Sequence, residues 1–162
     1  MESISSEILE NWGRKVILMA RQNVAAQGGP FSAVIINAAG ELIAQGSNLV
    51  TANNDPTAHA EICAIREACR EYQHFELPDL YMISSCEPCP MCLGAIYWTR
   101  IRQVYYLASR EDAAIAGFDD AFIYDQLNIS PAERNIPFIK INMADITAPF
   151  NDWDRKTDKI KY

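Results

Sequence analysis

Residues 80–99 read LYMISSCEPCPMCLGAIYWT, and the fold turns on how they are read. Leu80 to Ser84 is a short apolar run of strand type. A turn rich in cysteine and proline follows, and from about Cys89 to Thr99 the pattern predicts a helix. Val104 to Ala108 is again of strand type. A strand, a helix and a second strand in close succession make a crossover unit, which implies that these later strands run parallel.

Upstream, Ile8, Trp12, Val16, Met19, Ala20 and Val24 recur at helical spacing, and Gly28-Gly29 stops that helix. Phe31 to Ile36 and Leu42 to Gln45 are strand-type runs joined through Asn37-Ala38-Ala39-Gly40, a predicted hairpin. Asn53-Asn54-Asp55-Pro56-Thr57 is a loop in which Asp55 or Thr57 is expected to cap a helix from about Ala58 to Tyr72. Downstream come an Ala-rich helical piece, an acidic turn at Asp119-Asp120 and a short segment to Leu127. A strand near Phe138 to Ile141 and a final helix ending at Tyr162 complete the pattern. These elements predict an α/β fold, a three-layer α/β/α sandwich with a five-stranded mixed sheet. No repeat, low-complexity tract or linker divides residues 1–162, which are expected to form a single domain.

Composition narrows the function classes. With 49% hydrophobic and 22% charged residues over 162 positions, the chain has the balance of a globular domain long enough to build its own core. No apolar run approaches the roughly 20 residues of a bilayer span. The opening Met1-Glu2-Ser3 has no basic and apolar signal pattern, so no membrane association and a cytoplasmic location are expected. The net charge is −7, and the only basic cluster is Arg155, Lys156, Lys159 and Lys161, mixed with Asp152, Asp154 and Asp158. That balance argues against a nucleic-acid partner, which calls for a basic face. Three of the five cysteines, at 86, 89 and 92, crowd into one short stretch, which points to metal or redox chemistry before disulfides.

The chemistry is carried by His59-Ala60-Glu61 together with Pro88-Cys89-Pro90-Met91-Cys92. Either half alone is ambiguous; as a pair they match the His-x-Glu…Pro-Cys-x-x-Cys signature of zinc nucleobase deaminases. One imidazole and two thiolates suit tetrahedral Zn2+ and leave the fourth position to water, the pattern of a catalytic site. Cys89 and Cys92, three apart at a helix start, share a face, and the helix N-terminus favours their thiolates. Residues two apart diverge inside a helix, but at its first turn side chains lean toward the N-terminus, so His59 can reach the metal while Glu61 reaches the water beside it. Zinc so held makes water nucleophilic near neutral pH, and Glu61 is the expected proton shuttle. Cys86 extends the run to Cys-x-x-Cys-x-x-Cys, but no fourth cysteine stands at the spacing of an iron–sulfur site.

Beyond the metal motif, the chain resembles the cytidine-deaminase-like superfamily and, within it, the bacterial guanine deaminases. The resemblance rests on Gly29-Pro30-Phe31, Asp55 to Glu61, Ser85 to Trp98, Ala116-Gly117-Phe118-Asp119-Asp120 and the terminal Tyr162. It implies the cytidine-deaminase-like fold, hydrolysis of guanine to xanthine and ammonia, and a purine-base substrate. It also implies site roles: Asp120 as the carboxylate that recognises guanine, Asn48 as its amide partner, and Trp98 and Phe31 as walls of the base pocket, each with core packing as the competing role. It further implies a homodimer in which the segment of about residues 145–162 exchanges onto the partner subunit and Tyr162 closes the partner's active site. Other readings stay open: a guanosine deaminase, a tRNA adenosine deaminase, or a structural zinc module in which Cys86 is a fourth ligand.

Overall fold

The computed structural model describes residues 4–161. Strand β1 (Ser32–Ile36) is buried along its whole length, because both faces of the sheet are covered by helices. Side chains alternate across a strand. Ala33 and Ile35 join Met82 in one apolar cluster, while Val34 and Ile36 join Tyr81 and Ile83 in another. The second cluster is closed by α1 (Ser6–Ala25), whose Val16, Trp12 and Met19 stripe lies on it; Ser5 caps this helix by accepting from Ile8 N.

The first cluster is closed by α3 (Ala60–Tyr72) through Ala60, Ala64, Ile65 and Ala68, and by Ile96 of α4 (Pro90–Trp98). The small side chains on α3 let it approach β2 (Leu42–Ser47) closely. A Cβ at Gly46 would stand 2.1 Å from Ala60 O and 2.6 Å from Ala64 N, so only glycine fits there.

The sheet order is β2-β1-β3-β4, with β3 spanning Tyr81–Cys86 and β4 Gln103–Ala108. β1 pairs antiparallel with both β2 and β3, with a register shift between Ile35 and Ile36 against β2, while β3 and β4 run parallel through the crossover α4. The mixed sheet between helical layers is as expected, but among the described residues it has four strands, not five. Phe138 to Ile141, expected as the fifth, forms no strand, and its Ile139 is 70% exposed. Strand propensity acts only where a neighbouring strand offers a ladder, and here Pro137 precedes the run while Phe138 N donates to Pro131 O in a local turn.

Two further expectations change at helix ends. Asp55 and Thr57 do not cap α3: Asp55 Oδ1 accepts from Thr57 N and Oγ1 at 2.8 and 2.7 Å, and His59 occupies the N-cap position with no side-chain capping bond. A one-turn helix, α2 (Val50–Asn53), precedes that loop. The final helix is α7 (Ala148–Arg155), shorter than the run to Tyr162 that was expected; Tyr162 itself lies outside the described residues.

The chain divides into two compact units, Met1–Asp120 and Ala121–Tyr162. The first holds the sheet, α1 to α4 and α5 (Arg110–Ile115), the last with a Ser109–Asp112 capping box. The second holds α6 (Ala121–Leu127), a 3-10 turn (Pro131–Glu133) and α7. Within it, Phe122, Leu127, Ile136 and Phe138 line an apolar groove, with the Arg134 guanidinium 5.2 Å from the Phe138 ring centroid. No helix among the described residues is long and apolar enough to cross a membrane.

Candidate active site

His59 and Cys89 are the N-cap residues of α3 and α4, and Cys92 lies in the first turn of α4, so two helix N-termini converge on one point. Pro90 opens α4 at a position where a missing N–H costs nothing. At that point His59 Nδ1 stands 3.5 Å from Cys89 Sγ and 3.6 Å from Cys92 Sγ. Tetrahedral zinc ligands at about 2.0 Å for nitrogen and about 2.3 Å for sulfur stand about 3.5 Å from one another, so the donor set and its spacing both fit Zn2+. Among the described residues, these three form the group that could hold a metal ion. Cys86 also lines the cavity but is not one of the three; its thiol donates to Ser109 O at 3.5 Å, and burial pushes its pKa up to about 11. The zinc clip thereby loses Cys86 as its fourth ligand, and the iron–sulfur alternative loses one of its three cysteines.

The two thiols are shifted in opposite directions. A hydrogen bond from Cys92 holds Cys89 down to about 4, with His59 adding to the effect, and Cys92, which keeps the proton beside a thiolate, is raised. His59 is raised chiefly by its hydrogen bond with Cys89. His59, Cys89 and Cys92 would hold a divalent cation with both thiols deprotonated.

Glu61, on the first turn of α3, is only 6% exposed, and burial raises its carboxyl above the ordinary carboxylate range. Its Oε2 lies 3.5 Å from Cys92 Sγ, and its Oε1 accepts from the Ser84 hydroxyl at 3.3 Å. Ser84 is buried and comes from the α3-facing side of β3, the side that also carries Met82. Nothing in the motif singled it out. A polar residue at an inward position of a buried strand is the signal that was there to be read.

These groups border a cavity of about 420 Å3, which is within the range of small-molecule sites. His59, Glu61 and Cys89 line it together with Phe31, Asn48 and Asp120, so four of the expected site positions meet two of the metal ligands there. Cys92 lies behind the other ligands, fully buried. Phe31 lines the cavity and also packs against the core, and it meets the ring of Phe118 edge-on at 4.9 Å. Phe118, quoted in the sequence pattern without a role, is thus a second aromatic wall. Asn48 is 8% exposed, and its Oδ1 accepts from Val50 N at 3.3 Å. Asp120 is raised by burial and then by the Cys89 thiolate. Trp98 is not brought to this cavity: it ends α4, at the opposite end from the metal ligands, and is 60% exposed.

Residues 6–108 match the family described as the cytidine and deoxycytidylate deaminase zinc-binding region. The guanine deaminase of Bacillus subtilis (strain 168) is 47% identical over 154 residues, covering 94% of this chain and 98% of that protein. The X-ray structure of guanine deaminase from Bacillus subtilis superposes with a TM-score of 0.92. A guanine deaminase structure from Nitrosomonas europaea is 32% identical with a TM-score of 0.68, over 74% of this chain and 68% of that one. The tRNA-specific adenosine deaminase of Haemophilus influenzae is 34% identical over 122 residues, covering 72% of this chain and 70% of that protein. The chain belongs to the zinc-binding cytidine and deoxycytidylate deaminase family, and its nearly full-length likeness is to a guanine deaminase.

Proposed function

We propose that the chain catalyses the hydrolytic deamination of guanine to xanthine and ammonia. The observation that carries this is the 47% identity to a guanine deaminase across 94% of the chain, which extends past the zinc-binding region to the Asp119-Asp120 stretch. Zinc held by His59, Cys89 and Cys92 supplies Lewis-acid activation of water near neutral pH. Glu61 takes a proton from the attacking water and passes it to the ring nitrogen next to the carbon under attack, making that carbon electrophilic. The same carboxyl then protonates the exocyclic amine, which leaves as ammonia. Burial of Glu61 suits this role, because a carboxyl raised above its ordinary range holds a proton more readily and can return it.

Recognition of the base falls to Asn48 and Asp120, one offering donors to the ring's acceptors and the other accepting from its N–H groups. Phe31 and Phe118 flank it. The occupied form is a homodimer in which the segment of about residues 145–162 completes the partner's site. Its support is the resemblance, together with the apolar side chains that this part of the chain exposes, Phe150 at 70% and Ile160 at 69%. Five free cysteines fit a reducing compartment, the cytoplasm.

Ammonia release measured with guanine, guanosine, adenine, cytosine and cytidine tests the reading, with Glu61→Gln as the control. Guanine is expected to dominate, and the variant is expected to keep its zinc while turnover falls by about 10²–10⁴-fold. Preference for guanosine, or undiminished turnover by the variant, overturns the corresponding part.

A further inference from the structure

Asn23 lies on α1 seven residues after Val16, on the stripe that faces the sheet, where an apolar residue is the expectation. It does not line the cavity. Its side-chain amide donates both protons, one to Gly29 O at 2.8 Å and one to Asn48 O at 2.9 Å. The loop that leaves α1 is thereby tied to the loop that leaves β2, and these are the two segments that present Gly29 and Asn48 to the cavity. The fit is tight: a Cβ on Gly28 would stand 2.4 Å from Asn23 Nδ2, and one on Gly29 would stand 3.0 Å from the Asn48 carboxamide carbon.

Asn48 is held on both sides of its own backbone. Its N–H donates to Phe31 O at 3.1 Å, its C=O accepts from Asn23, and its Oδ1 is engaged by Val50 N. The donor Asn48 can offer a ligand is its side-chain NH2, and the Asn23 bond to its backbone helps fix where that group stands. We propose that Asn23 is a positioning residue for base recognition, acting through Asn48 to fix the donor that meets an acceptor on the purine ring. The inference rests on the reading of the cavity as a guanine site with Asn48 as a recognition residue.

A double-mutant cycle on the full-length, zinc-loaded protein tests it, with Asn23→Ala, Asn48→Ala and the pair assayed on guanine. Asn23→Ala removes two hydrogen bonds, and is expected to raise KM about tenfold with kcat within about threefold, the zinc content unchanged. Asn48→Ala is expected to do at least as much, and the pair no more than Asn48→Ala alone, because a residue that acts only through another has nothing left to lose. Asn23→Leu fills a similar volume without donors, and is expected to reproduce the KM effect should the alanine variant fail to fold. An unchanged KM in Asn23→Ala or Asn23→Leu, or the same fold-loss with and without Asn48, marks Asn23 as a structural residue and overturns the proposal. No guanine turnover by the unmodified protein, or no effect of Asn48→Ala, brings down the underlying reading as well.

Discussion

Glu61 shows what burial does to a single carboxyl. In the folded chain it titrates above its ordinary 4.5 because burial disfavours its charged form. The folded state therefore binds more protons than the unfolded state in the window above 4.5, and stability falls as pH rises through that window. Glu61→Gln cannot ionise. In zinc-free protein it is expected to raise Tm at pH 7–8, and the advantage should shrink to nothing as pH approaches 4.5; scanning calorimetry across that range measures it, and an equal shift at every pH contradicts the burial argument. Ser84 and Cys92, its two hydrogen-bonding side chains, come from different elements, which is why a motif read along the chain found Glu61 and not Ser84.

At the scale of elements, the site depends on how closely α3 lies on β2. Ala60, the first residue of α3, adjoins His59, so anything that lifts the start of that helix moves a metal ligand. Gly46→Ala would drive a Cβ into Ala60 O, a backbone atom that cannot rotate away. Overpacking of this kind costs about 1–3 kcal/mol. The variant is expected to lower Tm and to weaken zinc retention against a chelator. Loss of stability with unchanged zinc affinity would show that the strain relaxes elsewhere. The helix starts were legible in part: α4 was bounded closely because its proline and cysteines mark a turn into a helix, whereas Asp55 and Thr57 satisfied each other and left the cap of α3 to a residue whose ring is turned toward the two thiols.

For the whole molecule, the unit Ala121–Tyr162 is where local pattern failed most. Phe138 to Ile141 has the composition of a strand but forms none, and Ile136, Ile141 and Met143 are exposed at 77%, 75% and 71%. These exposed apolar side chains are what the proposed exchanged dimer would cover. Removing residues 158–162 is expected to abolish guanine turnover while leaving the zinc content and far-UV dichroism intact, and light scattering on the full chain is expected to give a dimer. A monomer, or a fully active truncation, rules out the exchanged arrangement.

What the sequence determined by itself was whatever chemistry and short-range geometry can encode. His59, Glu61, Cys89 and Cys92 are set by residue type and spacing at two helix starts, and the alternation of β1 and β3 between two clusters is set by the period of a strand. Only the tertiary structure decided which strand found an edge to pair with, that Ser84 meets Glu61, that Asn23 joins two loops, and that Trp98 stands apart from the cavity. The physical reason is that a strand partner, a hydrogen-bond partner or a pocket wall is a property of what the fold brings alongside a residue, and these neighbours lie far away along the chain.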